Sequence, residues 1–266
     1  MKAGKGHLKP RTRAHRYLPE WIKRRIEVNV YKLYDFMGKM GAATPPEALV
    51  LDAGAGEGRF KPEFEHTRYI GVDLAIGDVN WNYTNLDSIC DLKALPFPND
   101  TFDVTLCTQT LEHVNEPALV LNEIARVLKP GGKLYLSVPQ SWHQHQKPYD
   151  FYRYTSFGLR YLFTKVGLNV IHIEPMGGYF WSLSFLLQQM NYWLFPRGMK
   201  LRQLTWPLRA FNGFVFELLL PLILFYLDPL DRIKDETFGY ICIAQKPVNA
   251  LDSTTKEQQW QENTAF

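Results

Sequence analysis

The stretch Leu49–Phe60, LVLDAGAGEGRF, constrains this chain more than any other. Leu49, Val50 and Leu51 are an apolar run of the kind that ends a buried parallel strand, and Asp52 closes it. Gly54, Gly56 and Gly58 then recur at every second position. A strand, such a turn and a following helix bring bare backbone against a ligand, where side chains would obstruct the approach. The helix N-terminus beyond it presents free N–H groups and the positive end of a dipole. A dinucleotide fingerprint would need its third glycine at position 59, which is Arg59. The pattern D-x-G-x-G-x-G therefore disfavours a dehydrogenase.

The 266 residues suffice for one large α/β domain or one domain with an appendage. A hydrophobic fraction of 46% excludes global disorder, and a net charge of +3 predicts no nucleic-acid partner. Cys90, Cys107 and Cys242 are scattered, with neither a CxxC nor a metal-ligand pattern. That spacing predicts a reducing, cytoplasmic setting and no metal. No apolar segment follows the basic N-terminus, so no signal peptide is expected.

Beyond the glycine loop, Tyr69–Leu74 (YIGVDL) reads as a second strand with Asp73 at its carboxyl end, 21 positions after Asp52. In a doubly wound sheet, an acidic residue about 20 positions on is placed to accept both ribose hydroxyls. The plainer alternative is a strand-end turn carboxylate. Phe102–Cys107 reads as a fourth strand. A helix follows Pro117, with Leu121, Ile124 and Leu128 on one stripe, and Lys129-Pro130-Gly131-Gly132 stops it. Lys133–Val138 is a further strand, Thr155–Gly167 a helix and Asn169–Glu174 a strand in which His172 is structural.

The D-x-G-x-G-x-G loop resembles the first motif of class I S-adenosylmethionine-dependent methyltransferases. The run LPFPNDTFDVTLCTQTLEHVNEPALVLNEIARVLKPGGKLYLSVP, Leu95–Pro139, resembles the second half of a type 11 methyltransferase domain. The resemblance covers roughly residues 47–176 and 237–247. It implies an α/β, Rossmann-like, seven-stranded mixed sheet with helices on both faces, its last strand, here Phe238–Lys246, antiparallel. It implies S-adenosylmethionine as cofactor, with Asp52, Gly54, Gly56 and Gly58 around its methionine part and Asp73 and Leu74 at the ribose. Asp91 and Leu92 would then hold the adenine, and Thr108 and Leu111 would line the methionine end. His113, in Leu-Glu-His-Val, either lines that end too or caps the next turn.

After the fifth strand comes PQSWHQHQKPYDFYRYT, with His145, Pro148, Asp150, Arg153 and Thr155 in the pattern H-x-x-P-x-D-x-x-R-x-T. This resembles a subgroup of the same enzymes, many encoded beside polysaccharide and glycolipid biosynthesis genes. Strand ends four and five border the substrate side of the crevice. A hydroxyl nucleophile needs a base, and histidine titrates in the right range. His145 is the first candidate and His143 the second, with Trp142, Tyr149, Asp150 and Arg153 as candidate substrate contacts. Alternatively Asp150 and Arg153 pair to pin the loop, and Thr155 caps the helix starting at Ser156.

Two regions lie outside the resemblance. Residues 1–41 carry eleven Lys and Arg against three Asp and Glu, with an amphipathic helix from Pro19 on, and suit either a solvated arm with a docked helix or a surface facing an anionic membrane or a phosphorylated substrate. Residues 177–236 are an apolar, aromatic insertion between the sixth and seventh strands of the domain (42–176 and 237–248). Phe214–Leu227 is its longest apolar run, too short to span and interrupted by Glu217 and Pro221. With Arg197, Lys200, Arg202 and Arg209 beside it, an interfacial helical hairpin is expected, ahead of a lid or a dimer interface. Residues 249–266 are a polar tail expected to be disordered. The whole predicts O-methylation of a glycan, glycolipid or other lipophilic acceptor by a protein peripheral to the inner membrane face. C-methylation of an isoprenoid quinone and a non-catalytic binding module are the rivals.

Overall fold

A computed structural model of the chain describes residues 17–77, 80–195 and 205–248. The expectations for Lys2 to Arg16, Arg197, Lys200, Arg202 and the 249–266 tail lie outside them. The helices are α1 (Glu20–Ile26), α2 (Val28–Ala43), α3 (Pro117–Val127), α4 (Ser156–Lys165), α5 (Tyr179–Leu187), α6 (Met190–Leu194), α7 (Trp206–Gly213) and α8 (Leu220–Leu227). The strands are β1 (Leu49–Ala53), β2 (Arg68–Asp73), β3 (Ser88–Ile89), β4 (Phe102–Thr108), β5 (Leu128–Pro139), β6 (Asn169–Pro175) and β7 (Gly239–Gln245). Residues 35–174 and 239–248 form one compact unit; residues 17–34 and 175–238 belong to a second.

In the first unit the sheet order is β3-β2-β1-β4-β5-β7-β6, parallel from β3 to β5 and antiparallel between β5 and β7. Chain order reverses direction between β1 and β4, so the carboxyl ends of those strands open the ligand crevice. Strand pleating presents alternate residues to opposite faces. Leu134 and Leu136 join the core of α3 and α4 (Leu121, Ile124, Leu159, Phe163), while Tyr135 meets Phe36 of α2 edge-on on the other face. Helices therefore cover both faces. The Arg126 guanidinium clamps the preceding loop through the carbonyls of Leu95 and Phe97, 2.9 and 2.8 Å away, and Glu123 accepts from Leu95 N–H at 2.9 Å. Much of the LPF…EIARVL pattern is thus scaffold. β5 runs longer than the sequence indicates, because Leu128 already pairs with Phe102 before the Pro-Gly-Gly bend.

The second unit is helical. Asp228, 3% exposed, accepts from the N–H groups of Gly178 and Trp181 at the start of α5 and from Lys234 Nζ at 2.7 Å. These bonds satisfy otherwise unpaired helix-start donors beside a dipole's positive end. The indole of Trp181 stacks on Phe225 at 5.6 Å, and Arg25 reaches Tyr226 Oη at 2.8 Å. The short-run expectation for the insertion is corrected here. α7 continues through a π-helical turn (Phe214–Leu219) into α8, giving a helix of 25 residues from Trp206 to Leu230. Pro221 lacks the N–H of an interior helical residue, and the irregular turn before it accommodates that break without ending the helix. By length and composition this helix can cross a membrane. The N-terminal helix is also divided, with Glu27 separating α1 from α2.

Candidate active site

At the end of β1 the chain turns through Gly54 (φ +89°) and Gly56 (φ +54°), conformations that suit glycine. A Cβ on Gly54 would collide with Thr110, whose hydroxyl donates to the Gly54 carbonyl at 3.2 Å. The loop's backbone is therefore held bare and close to the end of β4; the helix expected after it is corrected to a single 3-10 turn, Lys61–Phe64, so among the described residues no helix dipole faces the loop. Asp73 braces it: one carboxylate oxygen accepts from Gly56 N–H at 3.0 Å and the other from Ala75 N–H at 2.7 Å. A carboxylate has about four acceptor directions, so two remain for hydroxyl donors. Asp52, 1% exposed, accepts from Tyr69 Oη at 2.6 Å, while its second oxygen has no partner among the described residues. Burial pushes the Asp52 carboxyl up to about 7, against the pull of the Tyr69 bond. Bare positive-φ backbone, an orphaned buried carboxylate oxygen and a braced acidic acceptor fit S-adenosylmethionine.

Directly after Thr110, the turn Leu111–His113 brings Glu112 and His113 beside His145 of the loop after β5. Glu112 is fully buried and neither carboxylate oxygen has a partner among the described residues. Burial raises its carboxyl to about 8. His113 Nε2 lies 3.8 Å from Glu112 Oε1, and the His113 ring meets that of His145 edge-on at 4.6 Å. His113 Nδ1 lies 2.5 Å from the Tyr149 carbonyl, and His145 Nδ1 3.2 Å from the His143 carbonyl. Burial lowers both imidazoles; His113 further lowers His145. The main chain secures this arrangement, since the Glu112 carbonyl accepts from Phe151 and Tyr152 N–H at 2.9 and 3.2 Å.

The fold brings together some of the residues singled out from sequence and separates others. His145 enters the cluster, while His143 is exposed and stacks on Trp142 at 5.5 Å. Arg153 is committed within the loop: it grips Asp150 at 2.7 and 2.9 Å and donates to the Trp142 and His143 carbonyls at 3.2 Å. That ion pair holds Asp150 down at about 2. Thr155 Oγ1 accepts from Gly158 N–H at 3.1 Å, capping α4. These are the loop-pinning and capping alternatives. Leu111 lies in the core: its side chain is fully buried and its carbonyl accepts from Tyr154 Oη. Leu92 is also buried in the core, Leu74 and Tyr149 are exposed, and Asp91 accepts from Lys93 N–H. Thr108 ends β4 beside Ser137. Glu112 is not among the residues that the sequence singles out, and His113 reads there only as a lining of the cofactor's methionine end or a turn cap. The one local signal was an acid next to a histidine at a strand end.

Residues 51–136 match the family described as a methyltransferase domain. That stretch, from β1 into β5, lies wholly within the first unit, whose sheet order and glycine loop are those that the class I, S-adenosylmethionine-dependent methyltransferase resemblance implies. A ubiquinone biosynthesis O-methyltransferase of Coxiella burnetii is 27% identical over 166 residues, covering 59% of this chain and 65% of that protein. The ubiquinone/menaquinone biosynthesis C-methyltransferase UbiE of Ralstonia nicotianae is 28% identical over 139 residues, 47% of this chain and 57% of that one. The chain thus spans less than two thirds of the length of these curated relatives. The crystal structure of the (4+2)-cyclase SpnF superposes with a TM-score of 0.51 at 18% identity over 82% of both chains, a likeness of fold.

Proposed function

We propose that the protein is an S-adenosylmethionine-dependent O-methyltransferase whose acceptor is a hydroxyl of a glycolipid or other lipophilic molecule at the inner membrane face. The observation that carries this reading is the Glu112–His113–His145 cluster, two residues on in chain from the Thr110 that touches the glycine loop. When bound, S-adenosylmethionine supplies a methyl group on a sulfonium sulfur. Asp73 takes the ribose hydroxyls, and the Gly54–Gly58 backbone receives the methionine end. An acceptor hydroxyl that took this methyl would have to give up its proton. Handling that proton is the work of the cluster around His145.

The second unit supports the lipophilic part of the reading. The Trp206–Leu230 helix leaves Trp206, Phe211, Phe214 and Tyr226 more than half exposed, and Trp193 lies exposed on α6. Aromatic and aliphatic side chains in that number suit the membrane interface or its interior. The relatives include enzymes named for ubiquinone biosynthesis, a second lipophilic class.

The test is transfer of labelled methyl from S-adenosylmethionine into glycolipid and polyprenyl catechol acceptors in vesicles. Label in an ether-linked product is expected, with His145→Ala reducing turnover at least a hundredfold while S-adenosylhomocysteine still binds. Label on a quinone ring carbon, undiminished when His143 and His145 are both replaced by alanine, favours the C-methyltransferase reading. Cofactor binding without turnover on any acceptor favours a non-catalytic module.

A further inference from the structure

We infer that Glu112, His113 and His145 form a binding site for a divalent transition cation. The inference rests on the methyltransferase reading only for what the cation would do, not for its being bound. One ligand atom from each residue lies within 4.8 Å of the other two. Three donors about 2.0–2.2 Å from one metal stand about 3.3–3.8 Å apart at tetrahedral or trigonal angles, so the widest pair would close by about 1–1.5 Å, within reach of side-chain rotation, to grip an ion. A fully buried carboxyl with neither oxygen bonded leaves its hydrogen-bonding positions unfilled, a cost that a ligand on those oxygens would relieve.

The histidine tautomers point the same way. A carbonyl only accepts, so the ring nitrogens facing the Tyr149 and His143 carbonyls are the N–H donors. In the neutral imidazole this leaves the lone pair on Nε2 of each ring. His113 Nε2 is itself buried and unbonded among the described residues. Imidazoles that spend Nδ1–H on a carbonyl and keep Nε2 for the ion are the usual outer-shell arrangement of metal-binding histidines. Two imidazoles and one carboxylate suit zinc, cobalt or manganese better than magnesium, and three protein ligands leave a position open. That open position is where an acceptor hydroxyl would be polarised, its proton passing to solvent before the methyl is taken. The sequence offered no metal-ligand spacing, because the ligands come from two loops separated by α3 and β5.

Protein stripped with a chelator and titrated with Co2+ tests the site, read by calorimetry and by visible absorption. We expect one equivalent at micromolar affinity with a low-coordinate absorption band. Glu112→Gln and His145→Ala should each weaken binding tenfold or more, whereas His172→Ala, an exposed histidine on β6, should not. S-adenosylhomocysteine affinity, measured on the same samples, reports that each variant is folded. Wild-type protein that takes up no stoichiometric Co2+, or variants that bind it as the wild type does, overturn the site. Cofactor binding in those samples would leave the methyltransferase reading standing, so the two failures are separable.

Discussion

The two units handle their apolar residues in opposite ways. In the first, Leu121, Ile124, Leu134, Leu136 and Phe163 are fully buried within one core. In the second, Trp206 is 67% and Phe211 66% exposed, on the one helix among the described residues that is long and apolar enough to cross a membrane. Burial of apolar surface stabilises a fold by roughly 25 cal/mol per Å2, so the first unit gains stability from its hydrophobes. The second leaves large apolar side chains uncovered along one helix, which a soluble domain has no reason to keep unless something covers them. High hydrophobicity therefore means a core in one region and a contact surface in the other.

That contrast can be broken by substitution. The largest effect is expected from Ile124→Ala, which deletes atoms from a closed core and should cost about 2–5 kcal/mol, read as a fall in denaturation midpoint. Asp73→Ala comes next. It removes a charged acceptor for two hydroxyls, so S-adenosylhomocysteine affinity should drop about a hundredfold, roughly 2.7 kcal/mol, in calorimetry. An unchanged affinity would refute the ribose assignment.

A pH series follows in size. The folded Asp52 carboxyl titrates near 7, above its unfolded value of about 3.9. The folded state thus keeps a proton that the unfolded chain releases, and this contribution is present below about pH 4 and lost as pH rises through 7. Relative to wild type, Asp52→Asn should gain thermal stability steadily between pH 4 and 7 and hold that gain above. A difference that stays flat across the range would contradict the raised value. The smallest stability effect belongs to the second unit. Leu208→Ser and Phe211→Ser should change the midpoint by less than about 0.5 kcal/mol, yet weaken anionic-vesicle co-sedimentation severalfold. A large loss of stability instead would mean that this face is covered within the protein.

The sequence by itself determined whatever depends on neighbours along the chain. The glycine turn, the carboxylate ending β2, the Leu121 and Ile124 stripe of α3 and the Thr155 cap are short-range chemistry, and each is legible from residue type and spacing. Only the tertiary structure decided what depends on distant segments. Arg153 looks like an anion-binding group until the loop folds and Asp150 takes its guanidinium. Leu111 looks like a pocket residue until the core closes over it. Pro221 and Glu217 read as interruptions, yet the backbone relaxes through a π turn and the helix continues. Glu112 and His145 carry no shared signal in one dimension. They meet because parallel strands β4 and β5 end on the same side of the sheet, so the loops that follow them lie side by side.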